Sequence, residues 1–207
     1  MSTARLGADF FARPTLVAAV DLIGRRLVRV RRGRRLAGRI VEVEAYIGAA
    51  DTACHAHRGC TPCNRVMFGP PGHAYVYFTY GMHHMLNVVT ERDGFPAAIL
   101  VRALEPEEGV DSMRRRRARA GRLRMARRDA AWTAGGPGRL CQALAIDRGL
   151  DGEDLEASPR LFFEEGRPAA RRDVARTTRV GIDSAAPRDR AAPWRFILSG
   201  NPCVSRR

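Results

Sequence analysis

Residues 39–46 read "RIVEVEAY". In an extended strand, alternation puts Ile40, Glu42, Glu44 and Tyr46 on one face and Val41, Val43 and Ala45 on the other. Two carboxylates and a phenol in a row most simply make a solvated face. Arg102 argues otherwise, because it sits in "AAILVRAL", a run apolar enough for a central strand, and a buried Arg needs an anionic partner. A nearby glutamate can be that partner. A carboxylate fixed by Arg stays ionised at neutral pH and can accept a proton from water, as a general base must. The aromatics of "YVYFTYG" also separate by face, with Tyr75 and Tyr77 pointing one way and Val76, Phe78 and Tyr80 the other. They read either as ordinary sheet packing or as platforms for unstacked bases, where each stack is worth ~1–3 kcal/mol.

The most metal-like stretch is "CHAHRGCTPC" at 54–63, which offers His55, His57, Cys60 and Cys63 as four candidate zinc ligands. Their H-x-H-x2-C-x2-C order fits poorly with a zinc finger, whose ligand pairs lie about 12 residues apart. A zinc deaminase needs H-x-E and P-C-x-x-C, and neither is in register here. A compact loop site is still sterically possible, and the other reading is free thiols at loop positions without ligands. The rival function that the cluster supports is a zinc-stabilised nucleic-acid-binding module without catalysis.

Charge narrows the partner. The chain of 207 residues carries 36 basic residues, all of them Arg, against 22 acids, for a formal charge of +14. A GC-rich, Ala- and Arg-favouring genome explains why the bases are Arg and not Lys, but not their excess over the acids, which points to a polyanion and most simply to nucleic acid. No stretch approaches the roughly 20 apolar residues of a membrane-spanning helix. "MSTARLGADFF" has no secretory apolar region. The expectation is a cytoplasmic protein whose five cysteines stay mostly reduced.

The elements that must position these residues follow from turn and helix signals. Pro14 opens a helix, "PTLVAAVDLIG", that Gly24 closes. "RRLVRVRR" and "RRLAGRIVEVEAYIG" form a hairpin around Gly33, and a loop over 47–74 carries the Cys/His cluster. "YVYFTYG" and "MHHMLNVV" pair tightly at Gly81, and "FPAAILVRALEP" is a strand that Pro106 stops. Acids early and arginines late in 107–130 suit a helix to about residue 119. The Arg run 114–119, with Arg122, Arg124, Arg127 and Arg128, reads either as a phosphate-contacting surface or as a solvated face. "RLCQALAI" is a short helix whose N-terminal amides could meet a phosphate. "RLFFEE", "TTRVGI" and "WRFILSG" are the last strands, giving one mixed α/β (α+β) domain over 1–207.

"GRIVEVEAYIG", "MFGPPGHAYVYFTYGMHHMLNVV", "ILVRALEP" and "GPGRLCQALAID", in that order, resemble the alkyladenine (3-methyladenine) DNA glycosylase family from about residue 10 onward. The resemblance implies a single domain with a curved, mostly antiparallel sheet, flanking helices and a protruding hairpin that enters the DNA minor groove. It implies an enzyme that flips a damaged purine out of double-stranded DNA and hydrolyses its bond to deoxyribose; no cofactor is expected, and nothing in the sequence suggests more than a monomer. By match to the family motif, Glu44 is the general base, and Arg102 and the backbone carbonyl of Val180 help hold the attacking water. Tyr46, His55 and Tyr77 line the base pocket, and Asn87 opposes the 2-amino group of normal guanine. Tyr80 is the wedge that fills the vacated stack. The family pattern does not call for Cys54, Cys60 and Cys63. With no Lys to form a Schiff base, the expected product is an intact abasic site.

Overall fold

The computed structural model describes residues 4–79, 81–120 and 130–205. Tyr80 and the arginines at 122, 124, 127 and 128 lie outside the described residues. Two short helices, α1 (Ala8–Phe11) and α2 (Thr15–Leu22), precede the hairpin of β1 (Arg26–Arg31) and β2 (Arg34–Ile47). Next come β3 (Ala74–Thr79), β4 (His83–Val89) and β5 (Ala97–Glu108). Helices α3 (Val110–Ala120), α4 (Ala130–Ala134) and α5 (Pro137–Leu144) follow. The chain ends with β6 (Leu161–Glu164), β7 (Val174–Thr177), α6 (Pro187–Ala191) and β8 (Arg195–Leu198).

The strands make one open antiparallel sheet in the order β3-β4-β5-β2-β1-β6, with β8 paired to both β2 and β7. Strand β2 is its spine. Its first half pairs β1, its second half pairs β8 through Glu42–Glu44, and β5 flanks it on the other side. Glu42 and Glu44 therefore sit mid-sheet between two strands that each bring an arginine, Arg102 from β5 and Arg195 from β8. The solvated-face reading of these carboxylates fails for that reason, and both are fully buried.

Irregular register aims these side chains. Between Ile40 and Val43 the β2–β5 ladder shifts twice, leaving Val41 on one strand and Arg102 on the other without a Cα partner. Such bulges re-aim side chains within a ladder. They also break the simple alternation: Ile40 joins Val41, Val43 and Ala45 in the main apolar core rather than sharing a face with the glutamates.

Two other expectations are corrected. Strand β5 runs through Pro106 to Glu108, because the pairing slips between Ala37 and Gly38, opposite the proline. At that point β2 is the only sheet neighbour of β5 among the described residues, and proline is tolerated at edges and bulges. Of "TTRVGI" only Thr177 is in a strand, and residues 178–182 form a loop that folds back over β2.

The β3–β4 hairpin extends past the sheet. Its two strands pair from Ala74–Val88 to Thr79–His83, but only Asn87–Val89 of β4 continue onto β5. Near the turn, Phe78 and Met82 are exposed, at 47% and 65% of their surface. Helix α5 braces the inner side of β4, and Gly138 allows the close approach, since a Cβ there would lie 2.8 Å from the His83 ring.

Candidate active site

A cavity of about 310 Å³ opens between the β3–β4 hairpin, β2, β5, the N-terminus of α5 and the loop 180–182. That volume is within the range of small-ligand pockets, ~300–1,000 Å³. Tyr46, His55, Tyr77, Asn87, Arg102 and Val180 all line it, so the structure brings six of the sequence-predicted residues to one place. Glu44 lies directly behind this wall. Its Oε1 accepts from the Val180 N–H at 2.7 Å, and its Oε2 accepts from the Tyr46 hydroxyl at 2.9 Å and from Arg102 Nη1 at 3.1 Å. The Val180 contact with Glu44 is made by the amide, not by the carbonyl.

These donors are held in their protonated forms. Burial first, and then the neighbouring Glu44 charge, push the Tyr46 phenol well above its ordinary range, so it remains a donor. Burial works against the Arg102 cation, but Glu44 and Glu42 outweigh it and raise its pKa.

The cavity's aromatic wall comes from β3 and a short 3-10 turn, His55–Arg58. The His55 ring stands edge-on to Tyr77 at 4.4 Å between centroids, and its Nδ1 shares a 2.7 Å hydrogen bond with the Tyr75 hydroxyl. Tyr75 and Tyr77 are 5.4 Å apart. Asn87 on β4 donates to the Tyr75 carbonyl at 3.0 Å, which fixes the orientation of its amide. Tyr80, the expected wedge, lies outside the described residues.

His55 is open to the cavity, yet the protein around it, followed by Arg58, lowers its pKa. It is therefore neutral at neutral pH. A folded-state pKa below the unfolded ~6.5 means that the unfolded chain takes up a proton first as pH falls. The contribution of His55 is thus unfavourable to folding below about pH 6.5. A titration of its ring proton by NMR is expected to show a midpoint under that value, and a midpoint above it would contradict the geometry.

The model of the family described as methylpurine-DNA glycosylase (MPG) matches residues 9–202. The chain belongs to this family. It is 52% identical over 202 residues to a protein of Methanocella arvoryzae named "Putative 3-methyladenine DNA glycosylase", covering 98% of this chain and 96% of the relative. Proteins of the same printed name from Carboxydothermus hydrogenoformans and Chlorobaculum parvum are 45% and 43% identical. Those matches cover 98% and 97% of this chain and 99% and 90% of the relatives.

In this chain the Cys/His loop is organised by side chains other than its cysteines. Asn64 donates to the carbonyls of His55 and Gly59 and accepts from the Thr61 N–H. His57 Nδ1 donates to the Ala49 carbonyl at 2.7 Å. Cys60 and Cys63 are exposed free thiols, while burial pushes the Cys54 thiol up to about 12. Among the described residues no three His, Cys, Asp or Glu side chains come together as a metal-binding group.

The candidate site rests on residues that pattern reading missed. Arg195 and Ser205 complete the surroundings of Glu42. Arg179 pairs with Asp51 at 2.6 and 2.8 Å, donates to the Ala45 carbonyl, and lies between the rings of Tyr46 and Trp194. It thereby fixes the residue next to Val180. The signal for Arg195 was present in "WRFIL", an arginine in an apolar strand, the same signal that marks Arg102.

Proposed function

We propose that this enzyme is a monofunctional glycosylase that flips alkylated or deaminated purines out of double-stranded DNA. The class comprises 3-methyladenine, 7-methylguanine, hypoxanthine and ethenoadenine. The observation that carries the reading is a buried carboxylate, Glu44, held by Tyr46, Arg102 and the Val180 amide directly behind an aromatic-lined cavity. In the reaction a water oxygen bonds to C1′ as the C1′–N bond breaks, and the purine leaves with the bonding electrons. Glu44 takes the water's proton, and its charge stabilises the developing oxocarbenium sugar.

Extruding a base costs a few kcal/mol, least for a damaged or poorly paired one, which already favours lesions. An alkylated purine is cationic, so it leaves as a neutral base, and tyrosine faces favour it by ~0.5–2 kcal/mol. A neutral lesion must also gain a proton on the leaving purine. Tyr77 and His55 supply the stacking walls, Asn87 opposes an exocyclic 2-amino group, and Tyr80 occupies the gap in the duplex. The Val180 carbonyl and Arg102 hold the water. Admitting that water requires Tyr46 or the loop 180–182 to shift, because Glu44 is covered.

The test is base release from duplexes bearing ethenoadenine or hypoxanthine, with chelator present. Alkali-labile abasic sites are expected, with no strand cleavage before alkali and no protein–DNA adduct on borohydride treatment. Tight binding without release, or stoichiometric borohydride trapping, would overturn the proposal.

A further inference from the structure

A second cavity, of about 410 Å³, lies at the other end of β2. It is lined by Arg31, Arg32 and Arg34 from the β1–β2 turn and by Arg115, Arg116 and Arg119 from α3, with Ser112 completing the wall. Arg34 precedes Glu44 by ten positions on one strand, a span of up to about 33 Å at ~3.3 Å per residue, and the two cavities share no lining residue. This cleft is thus separate from the base cavity.

The folded chain gathers these cations without neutralising them. Among the described residues no carboxylate pairs with any of the six. Acids on β5, β6 and α3 itself are engaged elsewhere: Glu108 and Glu164 bind Arg26 and Arg35, and Asp111 faces Arg114. Arg31 and Arg34 stand directly opposite across the hairpin, and Arg115 and Arg119 are one helical turn apart. Both placements of like charge are unfavourable. Arg32 and Gly33 both have positive φ, of 51° and 70°, the pattern of a turn in which asparagine is preferred to arginine at the first position. The Arg116 pKa is lowered, by burial first and then by Arg31, Arg29, Arg115 and Arg32. Among the described residues no aromatic or apolar side chain lines the cleft, so they offer nothing to seat a base or nucleoside.

We propose that this cleft binds the phosphodiester backbone of DNA at a second contact, remote from the base cavity. The inference rests on the chain acting on DNA, and phosphate oxygens would replace the missing carboxylates.

The variant R32N/R115Q/R119Q changes three exposed positions, and Asn suits the turn, so the thermal midpoint checks that it stays folded. Binding to an undamaged duplex is measured over a salt series. The log–log slope is expected to fall by about 0.9 for each phosphate that is no longer neutralised, hence by ~2–3 units. A control, R171Q/R172Q, removes charge at other exposed positions and is expected to change the slope far less per arginine. An unchanged slope in the triple variant, or an equal loss per arginine in the control, overturns the proposal. Inorganic tripolyphosphate that binds wild type but not the triple variant, with the DNA slope unaltered, would mark a small-anion site and also overturn it. The measurement uses no lesion, so failure of base release by wild type would sink the proposed function and leave this result standing.

Discussion

Glu44→Gln is expected to slow base release by about 10²–10⁴-fold, the contribution of a positioned general base. The substituted amide cannot accept the proton of the attacking water, and it removes the negative charge next to the developing sugar cation. Its fit is nearly isosteric but not neutral. The side chain is expected to keep its oxygen on the Oε2 side, where Tyr46 and Arg102 both donate, and to turn its NH2 toward the Val180 N–H. One donor then faces another, at a cost of about 1–3 kcal/mol for the unsatisfied buried group. The loss of activity therefore comes with a modest loss of stability, and binding to undamaged duplex is expected to stay close to wild type. Single-turnover release at saturating protein separates these effects, because it reads the chemical step alone. Release within threefold of wild type would remove Glu44 from the role of base.

Side chains that announce themselves by chemical contrast were legible in the sequence. An arginine inside "AAILVRAL" demanded a carboxylate, and "RIVEVEAY" supplied two of them. The tyrosines of β3 and the hairpin at Gly81 followed from strand alternation and turn chemistry. The sheet's long-range pairing was not legible. Alternation within β2 gives no sign that β8, some 150 residues later, pairs beside Glu42 and brings Arg195. The bulges at Val41 and Arg102 depend on two strands meeting, so a one-strand pattern put Ile40 on the wrong face. Pro106 looked like a stop because proline lacks an N–H, but a slipped ladder at an edge tolerates it. The Cys/His loop attracted attention through its ligand-type residues, although Asn64 organises it by hydrogen bonds to backbone.

Two residues from Glu44 on the same strand, and sharing the same arginine, Glu42 is expected to produce the opposite phenotype. Its Oε1 accepts from Arg102 Nε at 2.7 Å, Arg195 Nε at 2.8 Å and the Ser205 hydroxyl at 2.8 Å, and its Oε2 accepts from the Ser205 N–H at 2.6 Å. It does not line the base cavity. Glu42→Ala strands two buried guanidiniums, leaving, among the described residues, Arg102 with only Glu44 and Arg195 with no carboxylate partner. Breaking a buried pair from one side costs about 3–5 kcal/mol. That is a large part of the ~5–15 kcal/mol that holds a domain folded. Arg195→Met is expected to cost less, because Glu42 keeps Arg102 and both Ser205 donors and the apolar side chain fills the vacated space. Urea unfolding at constant m-value measures both variants. If Glu42→Ala costs under about 1 kcal/mol, or Arg195→Met costs more than Glu42→Ala, the charge balance across β5, β2 and β8 is not what holds Glu44 in place. The expected order assigns stability to the inner glutamate and chemistry to the outer one, with Arg102 as the link between them.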